Sequence, residues 1–353
     1  MGGVWMSGSL LNAFMIGGWE GIRPTQALAN TGKIMGENVR KGKPMRKPSP
    51  GWSSWHSNGR DFDEAKVISA AEFMAKEMKS SGWNNIQVDG GWWLEQGLYY
   101  VNDNFPKGIR YLSNTVTDKG LDFGLHISPL RVNFKDPVIL ANRSMVLQPY
   151  EKQIVDLDDD EMLTTIGAVY VDTSHPEVPA FLAGRFQTMV DAYKPTFMKW
   201  DHHYGALEEG VRKDSTMTFL QGHNRTIRTI RAALPEDLII TRSMGYLFGA
   251  MECYDAIRIG NDINHPGTIS DEEPWAAIDF GKTNGSIRDP QEGKGLIRFA
   301  RQASQNYYVH NNLAICDPDA FFVSPDYTVD EAKCHMTLQA IMGGLFFIGD
   351  RLE

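Results

Sequence analysis

Cysteine is scarce: Cys253, Cys316 and Cys334 are the only three in 353 residues. An odd number without metal-type spacing excludes a complete disulfide framework and a zinc knuckle, so buried free thiols are expected. Positive charge is also in deficit. Thirty-five Lys and Arg stand against 44 Asp and Glu, a formal net charge of -9. That is the wrong sign for a surface that gathers phosphates, and nucleic acid is not an expected partner. No Lys or Arg precedes Arg23, and Gly and Ser interrupt the mildly apolar start of the chain. No secretory leader is therefore read there, no run is long enough to span a bilayer, and the compartment stays open for a soluble chain.

Core-forming material is plentiful. Hydrophobic residues make up 42%, aromatics 11% and charged residues 22%, which excludes disorder, collagen and coiled coil. The length suits two average domains or one α/β barrel with extensions.

Short apolar, β-rich runs recur between longer helical patterns, the rhythm of repeated βα units around a parallel sheet. Eight strands are predicted, over 51–56, 85–89, 122–128, 196–201, 238–242, 256–261, 312–316 and 345–349. Helices are predicted over 64–80, 106–119, 176–193, 217–233, 295–307 and 328–342, the first carrying apolar residues at 3.6-type spacing and stopping before Gly82. Eight strands with interleaved helices predict a (β/α)8 TIM barrel over 51–353. Residues 1–50 read as an N-terminal appendage whose Lys-, Gly- and Pro-rich end, 40–50, is a linker. The chain stops just after an apolar run, so truncation at the C-terminus is expected, with a last outer helix and accessory β domains missing. The acidic run Asp156 to Glu161 reads as solvated surface rather than a calcium site.

In a parallel barrel the strand C-termini converge on one face, where the polar residues that end each strand share a pocket. Here they are Trp52, Trp55 and His56; Asp89, Trp92 and Trp93; His126; Lys199, Trp200, Asp201, His202 and His203; Arg242; Arg258 and Asp262; Asp317; and Asp350. Carboxylates ringed by tryptophan suit a sugar, whose C–H faces stack on indole and whose hydroxyls are gripped by charged groups. Two such carboxylates across a glycosidic bond supply the nucleophile and the acid/base of retaining hydrolysis. Asp317 and Asp350 are read as turn or cap residues.

Five strings carry a resemblance: Pro50-Gly51-Trp52-Ser53-Ser54-Trp55, Ile86-Gln87-Val88-Asp89-Gly90-Gly91-Trp92, Val171-Asp172-Thr173-Ser174-His175-Pro176-Glu177-Val178, Met198-Lys199-Trp200-Asp201 and Arg258-Ile259-Gly260-Asn261-Asp262-Ile263. In this order, from about Gly51 to Asp350, the chain resembles the melibiase-type α-galactosidases of glycoside hydrolase families 27 and 36. The resemblance implies a retaining α-glycosidase that needs no cofactor, acting on an oligosaccharide or glycoconjugate, with Asp201 as nucleophile and Asp262 as general acid/base. It also implies that Asp89 and Lys199 hold sugar hydroxyls and that Arg258 approaches the 2-hydroxyl or braces a carboxylate. Trp52 and Trp92 would shape the glycone pocket, with His126, His202 and His203 as local substitutions that reshape it.

The family commonly carries two consecutive aspartates after the second strand, whereas Gly90 follows Asp89 here, so a glycone other than galactose is open. Two alternatives stand beside the glycosidase. One is a barrel lyase or hydrolase with a divalent cation on Asp89, His126, Asp201 and His203. The other is a carbohydrate-binding relic without turnover. Homo-oligomerisation is left open.

Overall fold

A computed structural model describes residues 4–7, 10–15, 23–149, 168–204, 210–243, 245, 249–260, 300, 303–323 and 328–352. Nine short strands form one sheet: β1 (Gly51–Ser53), β2 (Asn85–Val88), β3 (Asp122–Ile127), β4 (Phe197–Trp200), β5 (Ile239–Arg242), β6 (Ala256–Arg258), β7 (Ile315–Asp317), β8 (Ala320–Phe321) and β9 (Phe347–Ile348). Their order is β7-β6-β5-β4-β3-β2-β1-β9-β8, and every ladder is parallel. The two outermost strands, β7 and β8, are separated only by Pro318 and Asp319. Three residue steps span at most roughly 11 Å, so the two ends of the sheet lie side by side. The segment 315–321 is thus one bent stretch, starting within the seventh predicted strand and running past it, that pairs with β6 before the break and with β9 after it, closing a (β/α) barrel.

All eight predicted strands have a counterpart; seven are shorter than their pattern, and the seventh is shifted, β7 covering 315–317 where 312–316 is predicted. The first stops at Ser53, and His56 lies instead in the helical turn Trp55–Asn58. The Ser54 amide still bonds Gln87 O at 3.1 Å, and the Asn58 side chain then reaches back to Ser54 O at 3.0 Å, turning the chain over the barrel mouth.

The outer helices are α1 (Pro24–Arg40), α2 (Glu64–Phe73), α3 (Gly108–Thr117), α4 (Val178–Tyr193), α5 (Phe219–Ala232) and α6 (Val329–Met342). Asp63 caps α2 by accepting from Lys66 N at 2.8 Å, and Val67, Ala70 and Ala71 face the sheet. Its pattern runs on through a π turn, Met74–Met78, and a 3-10 turn, Lys79–Ser81, to Gly82 at φ 88°. Reciprocal capping boxes, Thr218 with Gln221 and Thr328 with Glu331, start α5 and α6. The helix predicted over 295–307 and the acidic run 156–161 lie largely or wholly outside the described residues.

Ahead of the barrel, α1 packs closely on it. A Cβ at Gly32 or Gly36 would sit 2.2 or 2.3 Å from the carbonyl oxygens of Tyr308 and Asn312. At the end of α1 the buried Arg40 guanidinium donates to Met251 O, Tyr254 O and Leu313 O at 3.2, 2.9 and 2.9 Å. These carbonyls lie on the segments entering β6 and β7, so α1 docks at the N-terminal face, opposite the strand ends that carry the polar residues. Cys253 and Cys316 are buried free thiols, as expected, whereas the free Cys334 is exposed on α6. Among the described residues no helix is long and apolar enough to cross a membrane.

Candidate active site

Side chains two apart on a strand share a face, so Gln87 and Asp89 follow one another into the barrel mouth, as do Lys199 and Asp201. The β3–β4 register sets His126 beside Lys199. The Asp89 amide donates to Ser54 Oγ at 2.9 Å. Its Oδ2 receives Lys199 Nζ at 3.0 Å and Gln87 Nε2 at 2.7 Å, and its Oδ1 receives the Gly90 amide at 2.7 Å. Burial by itself would push this carboxyl up, but Lys199, His126 and the Gly90 N–H outweigh it and hold Asp89 at about 2. Sequence reasoning did not single out Gln87. Its signal was a polar residue on the inward face, two before an aspartate in an otherwise apolar run.

Asp201 is bonded through its amide to Ile127 O at 2.8 Å. Its Oδ1 accepts the His202 amide at 2.7 Å and its Oδ2 faces His126 Nε2 at 3.1 Å. Burial again opposes the charge, yet His202, His126 and Lys199 hold this carboxyl well below the ordinary carboxylate range. The His202 backbone is left-handed, φ 56°, and its Nδ1 lies 2.9 Å from Ser128 Oγ and 3.8 Å from Asp201 Oδ2. Burial lowers the His202 imidazole to about 4 against the pull of Asp201, so it is neutral at pH 7. His203 points elsewhere, its Nδ1 at 3.2 Å from His223 Nε2, and burial with His223 and Arg242 nearby holds it well below the usual histidine range.

A second ionic cluster occupies the ends of β6 and β7. Arg258 reaches Asp317 Oδ2 at 3.2 Å and Asp319 Oδ1 at 2.9 Å, and His56 Nε2 meets Asp319 Oδ1 at 3.1 Å. Asp319 sits at the break that closes the barrel, with φ 73°. Against burial, Arg258, His56 and Lys199 hold its carboxyl far down, which ties the cluster electrostatically to the first one. Asp319 also escaped sequence reasoning: it follows the strand end by two residues and faces inward only because the strand bends at Pro318. Asp317 and Asp350 accept backbone amides, from Asp319 at 2.9 Å and Val323 at 2.6 Å.

Trp52 and Trp92 are fully packed, 2% and 0% exposed, with indole N–H groups donating to Asp350 O at 2.8 Å and His126 O at 3.0 Å. They brace the strand ends. The indoles of Trp93 and Trp55 instead converge over Gly90, where a Cβ would meet them at 3.3 and 3.7 Å. Aromatic carbon therefore fills the space in which a second carboxylate would stand. Asp262 lies outside the described residues.

Of the four residues considered for a cation, the structure brings His126, Asp201 and, at a longer reach, Asp89 together; it replaces His203 by His202. Atoms of His126, Asp201 and His202 lie within 4.8 Å of one another. The closest two are 3.1 Å apart, His126 Nε2 to Asp201 Oδ2, and His202 Nδ1 lies 2.9 Å from Ser128 Oγ.

A family model described as Melibiase matches residues 37–231. The probable α-galactosidase B of Neosartorya fischeri is 33% identical over 98 residues, 26% of this chain and 22% of that protein. The probable α-galactosidase of Dictyostelium discoideum is 29% identical over 84 residues, 22% of each chain. The matched stretch is thus about a fifth of the curated relatives' length. An α-galactosidase from Thermus thermophilus, solved with stachyose, shares the fold with TM-score 0.68 at 19% identity, covering 92% of this chain and 65% of that one. An α-galactosidase from Geobacillus stearothermophilus, solved with raffinose, gives TM-score 0.61 at 15% identity, covering 91% and 42%.

Proposed function

From the premise that the chain belongs to the melibiase family, we propose that it is a retaining α-glycosidase that cleaves terminal α-galactosides or a related α-linked sugar from an oligosaccharide. The observation that carries this reading is Asp201: a buried, ionised carboxylate at the end of β4, oriented by two donors and set beside the Asp89–Lys199 pair. In the first half-reaction an Asp201 oxygen bonds to the anomeric carbon as the bond to the aglycone oxygen breaks, and that oxygen takes a proton from Asp262. In the second, water attacks the anomeric carbon, Asp262 takes its proton and the electron pair returns to Asp201. Asp89 and Lys199 would grip hydroxyls of the glycone, while Arg258 braces the Asp317–Asp319 side of the pocket.

A mechanism-based fluorinated or cyclitol sugar should leave its label on Asp201, and a label mapped to any other residue refutes the assignment. A panel of 4-nitrophenyl α- and β-glycosides, with stachyose and raffinose, tests the glycone: galactose, N-acetylgalactosamine, glucose and L-arabinopyranose probe the consequence of Gly90. Turnover that disappears with a chelator and returns with a divalent cation would favour the metal-dependent alternative. Sugar binding without turnover would favour the relic.

A further inference from the structure

We propose, on the reading of Asp201 as the nucleophile, that His126 is a positioning residue: it locks the plane of the Asp201 carboxylate through an Nε2–H···Oδ2 hydrogen bond and does not hold the sugar. Its place at the end of the third strand and the resemblance both assigned it to the sugar pocket. Its Nε2 faces two carboxylates, Asp201 Oδ2 at 3.1 Å and Asp89 Oδ1 at 3.8 Å, so this nitrogen carries the proton. Its Nδ1 is buried without a hydrogen-bond partner among the described residues, which suits a bare ring nitrogen better than an N–H with nothing to donate to. The Nε2–H is therefore committed to Asp201.

The ring has little freedom. The Trp92 indole pins the carbonyl of His126 at 3.0 Å, the Trp93 indole covers the ring with centroids 5.4 Å apart, and His202 stands edge-on at 6.1 Å. With the His202 amide on Oδ1, donors from β3 and from the segment after β4 hold the two carboxylate oxygens separately. Such a clamp aims the attacking lone pair at the anomeric carbon. In the second half-reaction the same donor stabilises the negative charge that returns to Asp201 when the glycosyl ester breaks.

The test uses the intact chain with His126→Phe, which keeps an aromatic ring under Trp93 but no donor, and His126→Gln, whose amide can donate toward Asp201. With a 4-nitrophenyl glycoside that the wild type cleaves, H126F should lower kcat about a hundredfold while KM stays within about threefold, and H126Q should recover about tenfold of the loss. A raised KM with kcat retained would make His126 a sugar contact. Equal loss in both variants, with unchanged thermal unfolding, would reduce it to packing. Independently of turnover, long-range ¹⁵N–¹H spectra of histidine-labelled wild type should show His126 as the Nε2–H tautomer and shift its ring nitrogens in D201A. An Nδ1–H tautomer or an unresponsive ring overturns the proposal even if H126F fails to fold. A wild type that cleaves no glycoside refutes the glycosidase reading, and the spectra still decide the hydrogen bond.

Discussion

Asp89 and Asp201 show how a barrel mouth keeps buried acids ionised. Each is buried, and each is held charged by one donor from another strand and one from its own stretch of chain: Lys199 and Gln87 around Asp89, His126 and the His202 amide around Asp201. For Asp89 the folded value of about 2 lies below that of the unfolded chain. Its contribution is therefore complete above about pH 4 and lost as pH falls toward 2. Urea unfolding should show this as about 2 kcal/mol of stability lost across that window, a slope absent from D89N. D201N, which keeps the shape and removes the charge, should lower kcat at least about a thousandfold with the fold intact by circular dichroism. An unchanged rate would refute Asp201 as the nucleophile. His126 became a partner of Asp201 only once β3 and β4 were laid side by side, whereas His202 is its neighbour in the chain.

Glycine at the level of elements has opposite meanings in two helices. In α1, Gly36 lets the helix axis approach the Asn312 carbonyl, and a methyl there would stand 2.3 Å from backbone oxygen. G36A should cost about 1–3 kcal/mol in thermal or urea unfolding. In α4, a Cβ at Gly184 meets nothing within 4 Å, so G184A should stabilise by about 0.4–1 kcal/mol through a stiffer unfolded chain and better helix propensity. The helices of the barrel were legible from their own residues, since capping pairs such as Thr218 with Gln221 and apolar stripes such as Val67, Ala70 and Ala71 are local features. The bend at Pro318–Asp319 was not, because a strand shared between two neighbours has no distinctive period of its own. The docking of Arg40 was hidden for a similar reason: its partners are carbonyls more than 200 residues away.

Across the whole molecule, buried imidazoles set the response to acid. Burial lowers His202, His223 and His335 to about 4, below the ordinary histidine value of about 6.5. The unfolded chain therefore binds protons that the native one refuses. Stability is full above about pH 6.5 and falls as pH drops toward 4, each group contributing roughly 1.4 kcal/mol per pH unit at most. Unfolding followed from pH 7 to 4 should show this steep loss before the carboxylates titrate, and a flat profile would mean that these rings gain protons in the native state.

Residue order by itself determined the architecture and the chemical vocabulary: the alternation of apolar strand runs with helical patterns, the strand-end aspartates and the tryptophan strings are all carried by neighbours in the chain. Tertiary structure alone decided who meets whom. Trp52 and Trp92 went into the packing while Trp55 and Trp93 closed over Gly90, and Asp319, read from no motif, entered the ionic cluster with Arg258 and His56. Periodicity records which way a side chain faces on its own element, whereas contacts between strand ends depend on register, on the bend that closes the ring and on the few ångströms across which a buried charge must find its counter-charge.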